Sequence, residues 1–452
     1  MNELPFQLSI NCISPEKQTV SINCIALIRY VKGRRKVYDA TWNEKKVIAK
    51  VFTHKFSGIR HAEREWKGLN ALSSRKINVP EPLFLGKTKN GDLVVITEKI
   101  TNSTTLLEIF NNTQNPETQL ETLLKVCREL VTQHKAGVLQ KDFHLENFIQ
   151  ANERIYTLDP GQMQFFQQEL PKDKSISNLS MLMLYLNDND KKSREYLCTE
   201  YFKLRNWQYT NQEKSQIRKY IELQREKGIK RGLKKCLRTS KRFFHIKKDG
   251  ITSVFDKTFC SETEALDFIK HIDKLMPGGK ILKDGNTCYV SHLTWNNKNI
   301  VIKRYNHKGL LYSLLHSIIH SRARKVWLLT QRLLMLEIHT PKPMAYIERR
   351  KNGILWNSYI VTEFMEGRNL YYVFNDEKLP DKELAEIENQ IEEILDKLWS
   401  FQITHGDLKH SNILITQNGP ALTDLDQMKV HIFSFLYKLR QAKDVERFNR
   451  KN

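Results

Sequence analysis

Apolar residues recur at intervals of three or four positions in several segments of the chain. This spacing places them on one side of a helix and predicts amphipathic helices packed against a core. The three clearest sets are Ala62, Trp66, Leu69 and Leu72; Leu120, Leu123, Leu124, Cys127, Leu130 and Val131; and Leu384, Ile387, Ile391, Ile394, Leu395 and Leu398. Further helices are expected from Asn178 to about Leu223.

Shorter apolar runs bounded by turn residues predict β-strands. The segment at 37–52 reads VYDATWNEKKVIAKVF, which predicts a hairpin that turns at Asn43-Glu44-Lys45 and returns along Val47–Val51. Two more strands are expected at Val79–Gly86 and in DLVVITEKI, which ends at Ile100. Strands followed by helices predict an α+β fold.

The strand pattern occurs twice along the chain, in the same order. TWNEKKVIAK ends at Lys50 and TWNNKNIVIK ends at Lys303, while VPEP near residue 80 returns as TPKP near residue 341. VITEKI around Glu98 returns as IVTEFM around Glu363. Repetition of several motifs in one order indicates two copies of one domain.

The chain has 452 residues, which is enough for two to three domains. We expect a first domain at residues 1–235 and a second at 236–452. Their junction is expected within the basic stretch Lys214–Lys248, near Gly232 to Lys248.

A polar loop also occurs twice, with identical spacing. Asp142, Asn147 and Asp159 are separated by five and twelve residues, and so are Asp407, Asn412 and Asp424. In phosphoryl transfer, one carboxylate accepts the proton of the attacking hydroxyl, while a carboxamide and a second carboxylate bind Mg²⁺. The pattern is typical of a kinase catalytic loop. The alternative, a polar hairpin with incidental carboxylates, is less compatible with the repetition.

Each repeat also carries a lysine on the returning strand of its hairpin. Lys50 and Lys303 are expected to contact nucleotide phosphates, although a single lysine on a strand is more often a surface residue. Glu65 follows Lys50 by fifteen residues and is expected to pair with it; Glu63 is the alternative.

The second repeat lacks this glutamate. Aligning Trp327 with Trp66 puts Val326 at the position of Glu65 and Arg324 at that of Glu63. We therefore expect Lys303 to lack the acidic partner that positions it.

Several features of protein kinases are missing from both repeats. Neither lysine follows a glycine-rich loop, and the later aspartates stand in Asp-Pro-Gly and Asp-Leu-Asp rather than Asp-Phe-Gly. No Ala-Pro-Glu motif follows, and 26 residues remain after Asp426. These differences favour a substrate other than a protein.

The net charge of +22 favours an anionic partner, although it is also compatible with a merely well-solvated surface. No nucleic-acid-binding motif accompanies the charge, so we expect no nucleic acid. The basic stretch Lys214–Lys248 suits an anionic membrane surface. Seven scattered cysteines without a Cys-x-x-Cys pair indicate a reducing compartment. No signal peptide or spanning segment is expected; the longest apolar patch, at Gly309–His320, predicts a helix face.

Both halves resemble the lipopolysaccharide core kinases, a bacterial family that includes heptose kinases and Kdo kinases. The first half carries AEREWKGL, KDFHLENFI and DPGQ, and the second carries TPKPMAYIERR, SYIVTEFMEGRNL, HGDLKHSNILI and DLDQMK. The matches span most of 37–161 and of 287–429.

The resemblance implies two tandem protein-kinase-like bilobal domains, each with an antiparallel sheet plus helix in its N-lobe and a mainly helical C-lobe. It implies ATP and Mg²⁺ as cofactors and phosphate transfer to a sugar hydroxyl of the lipid-linked inner core. Asp142 and Asp407 would be the catalytic bases. The implied ligands of ATP are Lys50, Glu65, Glu98, Lys303, Glu363 and Lys409, and those of the metal are Asn147, Asp159, Asn412 and Asp424. The protein would be cytoplasmic, either free or peripheral on the cytoplasmic face of the inner membrane.

The two repeats depart from the family pattern differently. Gln140 stands where the second repeat has His405, and the second repeat lacks the helix glutamate. Because an unpositioned lysine should cost more than a lost loop brace, we expect the first domain to be the stronger kinase. A small-metabolite or protein kinase, or a scaffold with one or both sites inactive, are the alternatives. The acceptor hydroxyl and the oligomeric state stay open.

Overall fold

A computed structural model of the chain describes residues 3–31, 33–53, 55–187, 190–306, 320–376 and 379–450. Within it the chain divides into two units, Met1–Glu226 and Lys227–Asn452. The division lies inside the basic stretch Lys214–Lys248. The helix face predicted at Gly309–His320 falls, except for its last residue, outside the described residues.

Six antiparallel strands open the first unit and close into a barrel, in the order β1-β2-β3-β4-β6-β5. They are β1 (Phe6–Ser14), β2 (Thr19–Val31), β3 (Arg35–Trp42), β4 (Lys45–Phe52), β5 (Pro82–Thr88) and β6 (Leu93–Glu98). The helix α1 (Lys55–Ser74) lies between β4 and β5. The predicted hairpin is present as β3 and β4, and both Asn43 and Glu44 have positive φ, as a two-residue type I′ turn requires.

Barrel closure was not expected from the sequence. It depends on pairing between β1 and β5, where Cys12 lies opposite Gly86. A Cβ atom on Gly86 would stand 2.3 Å from Ile10 Cγ2, so the strands can approach this closely only because the residue is glycine. Alternating side chains of β2, among them Ile22 and Cys24, are buried in the core of the barrel.

The rest of the first unit is mainly helical, with short strands around the polar loop. The strands are β7 (Thr104–Thr105), β8 (Val138–Gln140), β9 (Phe148–Ala151), β10 (Arg154–Thr157) and β11 (Met163–Phe165). The helices are α2 (Leu106–Asn111), α3 (Pro116–Lys135), α4 (Lys172–Leu182), α5 (Lys191–Leu204) and the first part of α6 (Asn211–Lys235), whose residues from Lys227 onward belong to the second unit. The predicted apolar face of α3 forms much of the core, with Leu123, Cys127 and Leu130 fully buried.

A seven-stranded antiparallel sheet organises the second unit, in the order β12-β13-β17-β18-β16-β15-β14. Its strands are β12 (Phe243–Lys248), β13 (Ile251–Asp256), β14 (Lys280–Gly285), β15 (Cys288–Trp295), β16 (Lys298–Tyr305), β17 (Pro343–Lys351) and β18 (Ile354–Glu363). The order β15-β16-β18-β17 repeats the order β3-β4-β6-β5 of the first unit. The two units therefore share a four-stranded arrangement around the lysine strand.

Helices and short strands complete the second unit. The helices are α7 (Glu262–Leu275), α8 (Arg322–Met335), α9 (Leu370–Phe374), α10 (Asp381–Ser400) and α11 (Ser434–Asn449). The short strands are β19 (Arg368–Asn369), β20 (Ile403–Thr404), β21 (Ile413–Thr416), β22 (Gly419–Leu422) and β23 (Lys429–Val430). The predicted apolar face of α10 is in place, since Ile387, Ile391 and Leu398 are buried.

The first part of the basic stretch Lys214–Lys248 is helical. Lys214 to Lys235 belong to α6, and the physical reason is the spacing of apolar residues among the lysines and arginines. Ile217 and Ile221 lie one turn apart and are buried in the core of the first unit. Ile229 is buried in the core of the second unit. A helix can hold this periodic apolar set while its basic side chains stay in water.

Candidate active sites

In the first unit, Lys50 lies between two carboxylates. Its Nζ is 2.5 Å from Glu65 Oε1 and also donates to Asp159 Oδ1. Arg35 adds a second positive charge, with Nη2 3.7 Å from Asp159 Oδ2. Glu65 is buried, whereas Glu63 is exposed, so the partner predicted first is the one in contact. The contact between Lys50 and Glu65, which are fifteen residues apart, thus links strand β4 to helix α1.

The charges in this cluster support one another. Burial opposes the charge of Lys50, but the carboxylates of Glu65 and Asp159 outweigh burial and raise the pKa of the lysine. Burial also opposes the charge of Asp159, but Lys50 and Arg35 outweigh it and lower the pKa of that carboxyl. Lys50 and Asp159 are therefore both ionised near neutral pH, which is the state that can bind phosphates and a cation.

Backbone geometry brings these side chains together. Lys50 pairs with Val37 on one side and Val95 on the other, at the centre of the shared strand arrangement. Asp159 has φ 51° and ψ 53°, in the left-handed region, directly before a short 3₁₀ helix. This conformation costs about 1–3 kcal/mol for a residue other than glycine and is often found at functional sites. Helix α1 packs against the same turn, where a Cβ on Gly68 would lie 2.8 Å from Pro160 O.

Hydrogen bonds and a close charge pair hold the polar loop of the first unit. Asn147 Nδ2 donates to the carbonyl oxygen of Asp142 over 3.0 Å, which orients the amide within the loop. His144 Nε2 is 3.3 Å from Asp142 Oδ1. Buried Gln140 donates from Nε2 to Gln133 Oε1 at 2.7 Å. An amide pair thus supports the loop where the other repeat has a histidine.

In the second unit, Lys303 also lies between two carboxylates, so the expectation that it lacks the acidic partner that positions it is wrong. Its Nζ is 2.7 Å from Asp424 Oδ1 and 2.9 Å from Asp426 Oδ2. The physical reason is local: Asp426 replaces the glycine of the first unit and reaches the lysine from the turn itself. Helix α8 contributes only Val326 at the position of Glu65, and that residue is buried.

Asp426 has several donors around it. Arg322 Nη2 lies 2.8 Å from its Oδ2, and the Tyr305 hydroxyl donates to its Oδ1. Burial opposes its charge, but Lys303 outweighs burial and lowers the pKa of Asp426. Burial likewise opposes the charge of Lys303, but Asp426 and Asp424 raise its pKa. Asp424 has φ 51° and ψ 60°, the conformation of Asp159.

The second polar loop has a richer set of contacts. Asn412 Nδ2 donates to the carbonyl oxygen of Asp407 at 2.8 Å and to its Oδ2 at 3.1 Å. Lys409 Nζ is 3.4 Å from Asp407 Oδ2, in the place that His144 takes in the first unit. Buried His405 donates from Nε2 to the carbonyl oxygen of Thr423 at 3.0 Å. Burial lowers the pKa of His405, which keeps it neutral as a brace.

Helix α11 contacts this loop through three of its side chains. Asp444 accepts hydrogen bonds from the backbone N–H groups of His405 and Gly406, at 2.7 and 2.9 Å. Arg447 Nη1 is 3.8 Å from Asp407 Oδ1. Phe448 packs against the ring of His410, with centroids 5.1 Å apart.

Glu98 and Glu363 lie at strand ends instead of in the lysine clusters. Glu98 is the last residue of β6 and pairs with Val47, and Glu363 is the last residue of β18 and pairs with Ile300. Glu363 Oε1 accepts from the backbone N–H of Lys342 at 2.8 Å. Their contact with a nucleotide stays a prediction.

The model of the lipopolysaccharide kinase (Kdo/WaaP) family matches residues 28–192 and 279–452. These two segments cover most of the chain and contain both lysine clusters and both polar loops. The chain belongs to the lipopolysaccharide kinase (Kdo/WaaP) family. No curated protein matches it. Membership in a lipopolysaccharide kinase family implies a phosphotransferase that acts on sugars of the lipopolysaccharide core.

The donor atoms in this lipopolysaccharide kinase suit Mg²⁺. Each unit offers one carboxylate and one carboxamide, Asp159 with Asn147 and Asp424 with Asn412. Mg²⁺ typically takes one or two protein carboxylates and completes its shell with water and substrate phosphates. Within the described ranges, no group of three or more His, Cys, Asp or Glu side chains is arranged around a metal position.

Sequence reasoning missed several residues of the two candidate sites. Asp426 was noted as part of Asp-Leu-Asp, but its contact with Lys303 depends on a through-space approach that spacing alone does not reveal. The other residues that it missed are Arg35, Arg322, His144, Asp444 and Arg447. The sequence does carry a signal for Asp426. The second repeat has Val326 in place of Glu65 and gains a carboxylate at Asp426, where the first repeat has Gly161.

Proposed function

We propose that both units bind ATP and transfer its γ-phosphoryl group to hydroxyls of lipopolysaccharide core sugars. The observation that carries this proposal is the double occurrence of one constellation: a partly buried lysine between two carboxylates, beside an Asp–Asn loop. The first unit was expected to be the stronger kinase because the sequence pattern left Lys303 without a positioning carboxylate. Lys303 has two carboxylate partners, so we propose that both units are catalytic.

We propose that each unit is a bilobal kinase, with a sheet-containing lobe and a mainly helical lobe. Strand β4 and helix α1 contribute Lys50 and Glu65, while the loop after β10 contributes Asp159. The nucleotide phosphates would lie between these elements, against the ammonium group of the lysine. The second unit would use Lys303 in the same way.

The proposed reaction needs a base, an electrostatic clamp and a phosphate donor. Asp142 or Asp407 accepts the proton of the sugar hydroxyl as its oxygen forms a bond to the γ-phosphorus. The bond from that phosphorus to the β–γ bridging oxygen breaks, and ADP leaves with the electron pair. Lys50 or Lys303 stabilises the negative charge on the phosphates. Mg²⁺, held by the Asn–Asp pairs when bound, would neutralise further phosphate charge.

The acceptor is expected to be lipid-linked, and we propose that the protein acts in the cytoplasm, at the cytoplasmic face of the inner membrane. No helix among the residues described is long and apolar enough to cross a membrane. The net charge of +22 suits peripheral attachment to anionic lipid.

The direct test is to incubate the full-length protein with Mg²⁺, ATP and core oligosaccharide from which phosphate has been removed. Mass spectrometry of the product should show added phosphate. The variant Lys50→Met combined with Lys303→Met should lose this activity. A matched control is Lys46→Met, because Lys46 is an exposed lysine on the same strand as Lys50.

Ligand binding separates the alternatives. MgATP at about 100 times its Kd should raise the free energy of unfolding by about 2.7 kcal/mol. Absence of both binding and transfer would support an inactive scaffold. Binding without transfer to the core, together with phosphorylation of a small metabolite or a protein, would support one of the other kinase classes.

A further inference from the structure

The start of helix α11 and the segment before it form an exposed apolar patch, consisting of Ile432, Phe433, Phe435, Leu436 and Leu439. Ile432 is 88% exposed, Phe433 68% and Phe435 72%, and both leucines are 51% exposed. Single exposed apolar residues are common on soluble proteins, but five within eight positions indicate an interaction surface.

The opposite side of α11 is fixed to its own unit. Asp444 is 1% exposed and accepts from the catalytic-loop backbone, as described above. Nine residues separate Phe435 from Asp444, which at 3.6 residues per turn puts them on opposite sides of the helix. Leu439, one turn after Phe435, shares its side. The apolar patch is therefore held facing away from the core.

Positive charge surrounds the patch. Lys429, Lys438, Arg440 and Lys443 are all exposed. Their field reaches the neighbouring His431: burial is the largest effect that lowers its pKa, and Arg440 and Lys429 lower it further. Of the acidic residues from 429 to 450, Asp444 is buried in its loop contacts, and Glu446 lies toward the far end of the helix.

We propose that this patch docks the second unit on an anionic lipid bilayer, with its apolar side chains inserted and its lysines and arginines at the headgroups. An apolar side with phenylalanine and leucine, flanked by basic residues, is the pattern of helices that lie in a membrane interface. The choice of lipid over a protein partner rests on this charge complementarity. The inference deepens the proposed function, on which it rests for the lipid-linked acceptor.

Docking through α11 would place the second catalytic loop near the lipid-linked acceptor. The helix that carries the patch also holds the backbone of His405 and Gly406 and places Arg447 beside Asp407. A bilayer bound to one side of the helix would therefore lie close to the second catalytic loop. The phosphorylated sugars are attached to lipid in the same bilayer, so docking would raise their local concentration at Asp407.

Insertion can be followed with a dye at the patch. All seven native cysteines are buried, so a thiol-reactive, environment-sensitive dye would label Ile432→Cys selectively. With vesicles of phosphatidylglycerol and phosphatidylethanolamine, its emission should shift to the blue and rise at least twofold. The same dye on Ile281→Cys, at a position that is 50% exposed, should not respond.

Sedimentation with the same vesicles tests the contribution of the side chains. The full-length variant Phe433→Ser with Phe435→Ser should bind at least tenfold more weakly than the wild type. Ile281→Ser with Leu282→Ser, at positions 50% and 47% exposed, should bind like the wild type. Lys438→Gln with Lys443→Gln should weaken binding at 0.1 M salt more than at 1 M salt, where the Debye length is only about 3 Å.

An unchanged dye spectrum with vesicles, or unchanged sedimentation of the phenylalanine variant, would overturn the docking proposal. A dye response that needs no vesicles and increases with protein concentration would also overturn it, in favour of self-association. Phosphate transfer to soluble core oligosaccharide should be unaffected by the patch variants. Failure of that transfer in the wild type would count against the proposed function and leave the docking result intact.

Discussion

The two lysine clusters achieve the same electrostatic arrangement with carboxylates from different elements. In the first unit the second carboxylate is Glu65 of helix α1, and in the second it is Asp426 of the turn after β22. The other carboxylate, Asp159 or Asp424, has the same left-handed backbone in both. The comparison shows that residues from different elements can supply a carboxylate to the lysine at the same place in the fold.

The two carboxylates approach their lysines through the same region. A Cβ on Gly161, the position of Asp426, would lie 3.0 Å from Glu65 Oε2. An aspartate at position 161 would therefore require the glutamate of the first unit to shift by a few tenths of an ångström. In the second unit Val326 leaves this region to Asp426, whose pKa is lowered by Lys303 despite burial.

The polar loops differ in their support. Gln140 and Gln133 pair through their amides in the first unit, and Asn178 Nδ2 donates to the carbonyl oxygen of Gln140 at 2.9 Å. In the second unit His405 and Asp444 take this role. Both arrangements fix the backbone before the proposed catalytic base with buried polar contacts, which are costly to break once formed.

The largest effect is expected from removing the proposed bases. Asp142→Ala and Asp407→Ala should each reduce the rate at their own site by about 10²–10⁴-fold, the usual contribution of a general base. Mass spectrometry of the core should show that each variant loses a different phosphate. Loss of the same single phosphate in both variants would contradict the proposal that each unit phosphorylates its own hydroxyl.

A smaller effect is expected from neutralising the carboxylates that differ between the units. Glu65→Gln, measured with Asp407→Ala present, should lower kcat/KM about 10- to 100-fold, because a hydrogen bond to a charged group is worth about 1.5–3 kcal/mol. Asp426→Asn, measured with Asp142→Ala present, should have an effect of similar size. Exposed Glu63→Gln is the control for the first unit and should change little. A loss at Glu65 without one at Asp426 would break the equivalence.

The smallest effect concerns stability as a function of pH. The pKa of Asp426 is lowered from its ordinary value of 3.8, so its ionised form favours the folded state above that pH. This contribution is lost as pH falls below 3.8 toward the folded pKa. At pH 7, Asp426→Asn should lower the free energy of unfolding by about 1–2 kcal/mol, or about 2–4 °C per kcal/mol in the melting temperature.

The melting temperatures of the Asp426→Asn variant and the wild type should converge as pH is lowered through this range. Asp159→Asn should behave in the same way, since the pKa of Asp159 is also lowered. A stability difference that stays constant down to pH 3 would contradict the assignment of an ionised, paired carboxylate at position 426.

Much of this structure could be predicted from local patterns. The helix faces around Leu123 and Ile391, the lysine hairpin and the Lys50–Glu65 pair all follow from periodicity or from a fixed spacing within adjacent elements. Barrel closure could not be predicted, because it depends on contact between β1 and β5, which are distant in sequence. The role of Asp426 could not be predicted for a related reason, since its contact with Lys303 joins residues 123 positions apart.

The contact of α11 with the second polar loop also could not be predicted from the sequence. Asp444 looks like one charged residue in a basic helix, and only its hydrogen bonds to His405 and Gly406 identify it as a loop support. Contacts of this kind join elements that no motif connects.

The most direct test of the central claim is to move the carboxylate of the second unit onto its helix. In the full-length chain with Asp142→Ala, Asp426→Gly should lower Mg²⁺-dependent phosphate transfer about 10- to 100-fold. Adding Val326→Glu, which recreates the pattern of the first unit, should raise the activity at least tenfold above that of the Asp426→Gly variant. The melting temperatures of all variants identify any that fail to fold. A folded double variant no more active than Asp426→Gly alone, or an Asp426→Gly variant with full activity, would contradict the account.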